Sequence, residues 1–250
     1  MKLQILNNIA KEGLDLLTEN NFELVSDQNN VSGIVLRSHD LHSLVIDSSL
    51  HAIARAGAGT NNINVGDCSE KGVIVFNTPG ANANAVKEMV ICSLILSKRD
   101  FISGNKNLDS IDTENMNDEE IGKKIENIKK EFVGEEIRGK KLSIIGLGAI
   151  GSMVAEQAIN LGMKVKAYDP GLTVDVALGL PSSLEKCDSM DSCLEEADYV
   201  SLHIPLNSST KAIINKDKLN LLSKHSVVIN FSRGGIVDEE DLIDQLENGK

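Results

Sequence analysis

The stretch Leu142-Ser143-Ile144-Ile145-Gly146-Leu147-Gly148-Ala149-Ile150-Gly151 is an apolar run that leads into a glycine-rich turn. A helical pattern follows at once, so the turn joins a strand to a helix. Gly146 permits the tight turn, Gly148 lets the backbone approach a pyrophosphate, and Gly151 lets helix and strand pack closely. The stretch predicts a dinucleotide site on the helix N-terminus. The residues expected to approach the cofactor are Gly146, Gly148, Ala149, Ile150 and Gly151.

An acidic residue stands where this kind of site needs one. A second strand, Lys164–Tyr168, ends at Asp169, 18 residues after Gly151. A carboxylate there accepts a hydrogen bond from the ribose 2′-hydroxyl and repels a 2′-phosphate. No arginine follows directly, because the next residues are Pro170-Gly171-Leu172. The sequence therefore predicts NAD rather than NADP, and the alternative is a generic strand-turn-helix with an accidental aspartate.

Strand-like and helical runs alternate on both sides of this turn, which predicts an α/β fold with parallel sheets. The candidate strands are Leu3–Leu6, Gly33–Arg37, Ala52–Ala56, Val73–Asn77, Leu142–Ile145, Lys164–Tyr168, Tyr199–His203 and Val227–Asn230. Helical runs at Asn8–Leu17 and Val65–Lys71 fall among the first strands, and Asn64 is the expected N-cap of the second. A polar arm at 103–133, with a helix over Ile121–Phe132, separates the two series. The expected domains are 1–92 and 93–250.

Composition limits the classes of function. Hydrophobic residues make up 41% of the chain and aromatic residues only 3%, which is typical of sheets covered by helices on both faces. The net charge of −12 repels a phosphate backbone, so we expect no nucleic-acid partner. Four cysteines without CxxC spacing, and a start without a signal-peptide profile, favour reduced thiols in a cytoplasmic protein. We expect no metal site and no membrane span.

Several ordered motifs together resemble one known family, the D-2-hydroxyacid dehydrogenases. The motifs are VLRS at Arg37-Ser38, the run from Arg55 to Ile63, NTPGAN at Asn77–Asn82, GLGAIG, YDP at Tyr168–Pro170, HIPL at His203–Leu206 with Thr210, and NFSRGGIVDE at Asn230–Glu239. The resemblance implies two Rossmann-like or flavodoxin-like domains, a substrate domain and an NAD domain, with the catalytic cleft between them. It also implies hydride transfer from C2 of a 2-hydroxy acid.

The same resemblance implies roles for individual residues. Arg233 is expected to be catalytic, since a guanidinium fork holds a carboxylate while stabilising charge on the oxygen that becomes a carbonyl. The implied substrate-binding residues are Arg37, Ser38, Gly57, Ala58, Gly59 and Asn82. Besides the glycine turn and Asp169, the implied cofactor-binding residues are His203, Pro205, Thr210, Asn230, Phe231, Ser232 and Arg233. The alternatives are a surface arginine in a turn for Arg233 and a helix N-cap for Asn82.

The expected substrate is an anionic 2-hydroxy acid. Arg37 resembles the position that reaches a distal phosphate, and Lys87 suits the same charge, which favours 3-phospho-D-glycerate as the substrate and 3-phosphohydroxypyruvate as the product. The alternatives are a dehydrogenase of the lactate or glycerate type and a non-catalytic, NAD-sensing binding module. The resemblance also implies a homodimer or a higher homo-oligomer.

One departure from the family pattern concerns its catalytic pair. The resemblance places a catalytic histidine and its partner glutamate downstream of the NFSRGGIVDE motif, whereas this sequence ends at Lys250. The five histidines present occupy none of that position. Proton transfer by a positioned acid or base contributes a factor of roughly 10² to 10⁴. The expectation is therefore a truncated chain that binds NAD and turns over poorly.

Overall fold

The computed structural model describes residues 1–26 and 30–249. The chain divides into two compact units, Met1–Asn82 and Ala83–Lys250. In each unit, parallel strands alternate with helices, as the alternation in the sequence predicts. The division falls at the start of a long helix, Ala83–Leu96, and not within it at residue 92, because that helix packs against a helix of the second unit.

The first unit contains one five-stranded parallel sheet. Its elements are β1 (Lys2–Leu6), α1 (Lys11–Glu19), β2 (Glu23–Val25), β3 (Gly33–Leu36), β4 (Ala52–Arg55), α2 (Val65–Glu70) and β5 (Ile74–Asn77). The strand order is β2-β1-β3-β4-β5. Leu36 and Ile53, both fully buried, belong to the core beneath the central strands. The Asn64 side chain caps α2 by accepting a hydrogen bond from the Asp67 amide, 3.3 Å away, as predicted.

The second unit contains a second five-stranded parallel sheet. Its elements are α3 (Ala83–Leu96), α4 (Phe101–Asp109), α5 (Asp118–Glu131), β6 (Lys141–Ile145), α6 (Ala149–Asn160), β7 (Lys164–Tyr168), α7 (Val174–Leu178), β8 (Glu185–Lys186), α8 (Met190–Leu194), β9 (Tyr199–Leu202), α9 (Lys216–Asn220), β10 (Val227–Asn230) and α10 (Glu239–Glu247). The strand order is β10-β9-β6-β7-β8. The predicted α/β class is confirmed.

Central strand β6 is buried on both faces, which explains why Leu142, Ile144 and Ile145 make it mostly apolar. Leu142 and Ile144 face a core shared with α3 and α6, while Ile145 faces a second core on the other side of the sheet. The buried Ser143 hydroxyl donates to the carbonyl of Cys193, which satisfies its polar group inside the sheet layer.

The polar arm is more ordered than its composition suggests. The predicted helix over Ile121–Phe132 is present as α5, which begins with a capping box between Asn117 and Glu120. Residues 101–109, which overlap the start of the polar arm, form α4, and the Asp100 carboxylate caps this helix by accepting from the Ser103 amide at 3.0 Å. The two helices contact each other.

Within residues 1–26 and 30–249, no helix is both long enough and apolar enough to cross a membrane. The same described residues contain no group of three or more histidine, cysteine, aspartate or glutamate side chains that would hold a metal ion.

Candidate functional site

The glycine turn after β6 needs glycine at two positions and leaves space at a third. Gly146 has φ of 98°, and a Cβ placed on it would lie 2.6 Å from the carbonyl oxygen of His203. A Cβ on Gly151 would lie 2.0 Å from the Gly146 carbonyl oxygen. A Cβ on Gly148 would meet nothing within 4 Å. The turn is thus tightly packed behind and open in front, as a bound pyrophosphate requires.

Helix α6 starts at this open face. Its N-cap is Gly148, a residue without a side chain that could cap the helix. The first amides of a helix lack intrahelical partners, so those at Ala149 and Ile150 are available to an anion, and the helix dipole favours negative charge there. The Ser152 hydroxyl donates to the Leu147 carbonyl at 2.9 Å, which secures the turn from inside.

Asp169 lies directly beside the turn. One oxygen of its carboxylate accepts from the Leu147 amide at 2.7 Å, and the other accepts from the Gly171 amide at 2.8 Å. Two backbone bonds therefore fix the carboxylate next to the site where a dinucleotide would bind, and each oxygen keeps a lone pair for a ribose hydroxyl.

The loop after β9 forms the wall behind the glycine turn. The amide of His203 donates to Ile145 at 2.8 Å, and its Nε2 pairs with the Ser201 hydroxyl at 2.9 Å. Its Nδ1 is buried and has no hydrogen-bond partner within the described part of the chain. Burial lowers the pKa of His203 to about 4, so the imidazole is neutral at physiological pH. The Thr210 hydroxyl donates to the Pro205 carbonyl at 2.6 Å and closes the loop.

The loop after β10 carries Arg233. The Asn230 side chain bonds to the backbone at both Ser232 and Arg233, while the Ser232 hydroxyl donates to the Leu202 carbonyl at 2.7 Å. The Arg233 side chain is exposed, and its Nη1 donates to the Ser232 carbonyl at 2.7 Å. The Phe231 side chain is 41% exposed.

In the first unit, Arg37 and Ser38 follow β3 in a loop held by side chains from elsewhere in the sheet. The Asn7 side chain, after β1, accepts from the amides of Ser38 at 3.0 Å and His39 at 2.6 Å. The Arg55 Nε donates to the Arg37 carbonyl at 3.0 Å. These long-range bonds fix the backbone from which the exposed Arg37 side chain projects.

The turn Gly57–Gly59 follows the neighbouring strand β4. Gly57 has φ of 154°, and a Cβ on it would lie 2.4 Å from the Arg55 guanidinium. The Asn77 side chain donates to the Ala58 carbonyl at 2.7 Å, and the Thr78 amide donates to the Gly57 carbonyl at 3.0 Å. Asn82 is exposed just before α3.

The predicted site residues therefore fall into two groups, each at the carboxyl edge of one sheet. In the second unit, Gly146–Gly151, Asp169, His203 and Arg233 follow β6, β7, β9 and β10. In the first unit, Arg37, Ser38 and Gly57–Gly59 follow the adjacent strands β3 and β4. Carboxyl edges of parallel sheets are where such folds bind ligands. Lys87 lies on α3, and its ammonium bonds to Asn84 at 2.6 Å.

Two residues that organise the Arg37 loop, Asn7 and Asn62, are not among the site residues predicted from the sequence. The Asn62 side-chain Nδ2 donates to the His39 carbonyl at 2.7 Å. Asn7 has φ of 68°, a left-handed conformation that asparagine tolerates better than most residues. The only sign of this role in the sequence is that Asn7 directly follows a predicted strand. Its hydrogen-bond partner Ser38 is 31 residues away and cannot be identified from the sequence.

Comparisons with known proteins agree with this geometry. The profile of the D-isomer specific 2-hydroxyacid dehydrogenase NAD-binding domain matches residues 99–250. Hydroxypyruvate reductase of Thermotoga maritima is 35% identical over 252 residues, which cover 99% of this chain and 75% of that protein. D-3-phosphoglycerate dehydrogenase of Methanocaldococcus jannaschii is 34% identical over 201 residues, which cover 80% of this chain and 35% of that protein. The chain thus spans between about a third and three-quarters of these two relatives.

A solved structure of a related dehydrogenase also matches the fold of this chain. D-lactate dehydrogenase of Lactobacillus jensenii, solved with NAD⁺, is 25% identical, with a TM-score of 0.71 and coverage of 100% of this chain and 76% of that chain. The match of residues 99–250 to an NAD-binding domain confirms the prediction of NAD as the cofactor.

Proposed function

The chain belongs to the D-isomer specific 2-hydroxyacid dehydrogenase family, and on that premise we propose that it serves the NAD-dependent oxidation of 3-phospho-D-glycerate to 3-phosphohydroxypyruvate. Bound NAD supplies the hydride acceptor. We base the proposal on the carboxyl edge of the sheet in the second unit. There an open glycine turn, a fixed carboxylate and an exposed arginine follow strands of one parallel sheet.

The glycine turn and Asp169 are the groups proposed to hold NAD. The Ala149 and Ile150 amides would face the pyrophosphate, and Asp169 would accept from the ribose. His203 and the Pro205–Thr210 loop would border the nicotinamide end, with Asn230, Phe231 and Ser232 beneath it. The neutral imidazole of His203 adds no charge to this wall, so the field at the site comes from Asp169, Arg233 and the helix dipole.

Arginines are proposed to hold the substrate. Because the chain carries a net charge of −12, bulk attraction does not draw an anionic acid toward it, and individually placed guanidinium groups must do so. Arg233 would bind the carboxylate and the C2 oxygen, and Arg37 would bind the phosphate. Ser38 and the amides of Gly57–Gly59, together with Asn82, would complete the substrate contacts. The fixed backbone under Arg37 supports this role, since less conformational entropy is lost on binding.

A second candidate is an unphosphorylated acid of the glycerate type. The relative from Thermotoga maritima, which matches almost the whole chain, is named a hydroxypyruvate reductase. Hydroxypyruvate differs from 3-phosphohydroxypyruvate only by the phosphate. The affinity of the site for that phosphate therefore separates the two candidates.

The test is calorimetric titration of the NADH-saturated chain with 3-phospho-D-glycerate and with D-glycerate. We expect the phosphorylated acid to bind at least tenfold more tightly, and Arg37→Ala to abolish the difference. Lys71→Ala, an exposed cation next to the amino end of β5, is the matched control and should bind like the parent. Equal affinities unaffected by Arg37→Ala would favour the glycerate type. NADH binding without affinity for either acid would favour an NAD-sensing module.

We also propose that the chain forms a homodimer through an apolar surface of the second unit. Four side chains that border one groove beside α4 are largely exposed: Leu96 at 45%, Phe101 at 66%, Ile102 at 73% and Val133 at 81%. Contiguous exposed apolar surface usually marks an interface. Sedimentation analysis should find a dimer that Ile102→Asp disrupts. Val45→Asp, at an equally exposed valine of the first unit, should leave the mass unchanged.

A further inference from the structure

The Asn230 side chain uses both of its polar ends within its own loop. Its Nδ2 donates to the Arg233 carbonyl at 2.8 Å, and its Oδ1 accepts from the Ser232 amide at 3.0 Å. Asn230 is the last residue of β10 and pairs in register with Leu202 of β9. A single side chain thus connects the rigid end of a strand to the backbone of the arginine three residues later.

Two further anchors hold the loop on either side. The Ser232 hydroxyl donates to Leu202 of the neighbouring strand at 2.7 Å. Beyond the arginine, the Ala212 amide donates to the Gly235 carbonyl at 2.7 Å, and Ile214 forms a parallel bridge with Val237. The backbone that carries Arg233 therefore lies between two fixed points, although no regular secondary structure includes it.

The Arg233 guanidinium itself remains available. Its Nη1 bonds to the adjacent Ser232 carbonyl, and within the described residues it forms no ion pair with a carboxylate. An arginine side chain has five N–H donors, so most of them face no protein partner that would compete with an anion. A fixed backbone with a free guanidinium is the arrangement that presents a cation to a ligand.

We propose that Asn230 is a positioning residue for Arg233 and acts on substrate binding through it, an inference that rests on the proposed function of Arg233. Because both polar groups of Asn230 are bonded to backbone, its side chain is committed to the loop and contributes to the site by holding the arginine in place. The bond from the Ser232 hydroxyl to the Leu202 carbonyl holds the whole loop against β9. Losing the Asn230 bonds frees the backbone dihedral angles on which the guanidinium direction depends.

A double-mutant cycle on the full chain tests this, using calorimetric titration of the NADH-saturated protein with 3-phospho-D-glycerate. We expect Arg233→Ala to weaken binding by more than tenfold and Asn230→Ala by about three- to tenfold. The double variant should bind no more weakly than Arg233→Ala alone, because Asn230 acts through the arginine. Asn230→Asp, which keeps the acceptor and loses the donor to the Arg233 carbonyl, should behave like Asn230→Ala.

Asn117→Ala is the matched control. It also removes a bond from an asparagine side chain to the backbone of the same unit, at the start of α5, and should leave anion affinity unchanged. If Asn230→Ala weakens binding by the same factor with and without Arg233, or not at all, the positioning role is refuted. If Arg233→Ala itself has no effect, the proposed function of the arginine fails instead.

A measurement without substrate keeps the inference testable in either case. The backbone N–H of Ser232, which donates to the Asn230 Oδ1, should exchange slowly with solvent in the parent chain. In Asn230→Ala it should exchange at least several times faster, while the tyrosine fluorescence still reports a folded second unit. An unchanged exchange rate would overturn the inference.

Discussion

The buried imidazole of His203 should make the second unit less stable in mild acid. Burial lowers the pKa of His203 to about 4, against about 6.5 for an unperturbed histidine. The folded state therefore binds this proton more weakly than the unfolded state does. The stability contribution is complete above pH 6.5 and is lost progressively as the pH falls from 6.5 toward 4.

The magnitude follows from the two pKa values. A full difference between about 6.5 and about 4 corresponds to about 3.4 kcal/mol, reached only below pH 4. Between pH 7.5 and pH 5.5, the loss amounts to about 1.3 kcal/mol. That range stays above the isoelectric point of about 4.9, where association of the chain would interfere.

Tyrosine fluorescence provides the assay. The chain has no tryptophan, and its two tyrosines, Tyr168 and Tyr199, both lie in the second unit. Urea unfolding followed by their emission therefore reports this unit alone. His203→Gln should reduce the difference in unfolding free energy between pH 7.5 and pH 5.5 by about 1.3 kcal/mol relative to the parent.

His225→Gln replaces an exposed histidine of the same unit and should keep the parent's dependence on pH. If His203→Gln shows the same pH dependence as the parent, protonation of the buried His203 imidazole is not the cause of the loss of stability in acid.

Three other expectations follow from the same geometry. Gly151→Ala should destabilise the second unit by several kcal/mol in urea unfolding, because the new Cβ would lie 2.0 Å from the Gly146 carbonyl oxygen. As the control, Gly122→Ala in α5, where a Cβ has open space, should stabilise the unit by up to about 1 kcal/mol. Asp169→Ala should weaken NADH binding by about 10- to 100-fold and NADPH binding far less, measured by the emission of the reduced nicotinamide. Asn7→Ala should weaken 3-phospho-D-glycerate binding about three- to tenfold by loosening the Arg37 loop. An unaltered NADH affinity, or an unaltered acid affinity, would contradict the respective expectation.

The glycine turn and Asp169 could be predicted from the sequence because their chemistry is local. The turn needs glycine wherever the backbone has positive φ or no room for a Cβ, and Asp169 stands at a spacing set by one helix and one strand. Strand positions followed from apolar runs for the same reason. Strand β2 has only three residues and one half-buried pair, Leu24 and Val25, too short for any periodic pattern.

The supporting bonds could not be predicted, because they depend on strand register. Ser232 reaches the carbonyl of Leu202, 30 residues away, only because β9 and β10 are neighbours with Asn230 opposite Leu202. The sequence placed Asn230 and Ser232 beside the cofactor by resemblance. The bonds that they make with the loop backbone appear only once the strands are paired.

Each sheet has one switch point, where successive connections leave two neighbouring strands in opposite directions. The loops that follow those two strands contact each other in a different way in each unit. In the second sheet the switch point lies between β6 and β9, and the loops approach so closely that Gly146 has no room for a side chain against the His203 carbonyl. In the first sheet it lies between β1 and β3, and the Asn7 side chain bridges the gap to the amides of Ser38 and His39. Backbone contact demands glycine and leaves a motif in the sequence, whereas a side-chain bridge needs one ordinary asparagine. The glycine turn is therefore recognisable from the sequence alone, whereas Arg37 is expected only through the family resemblance and the asparagine bridge beneath it requires the structure.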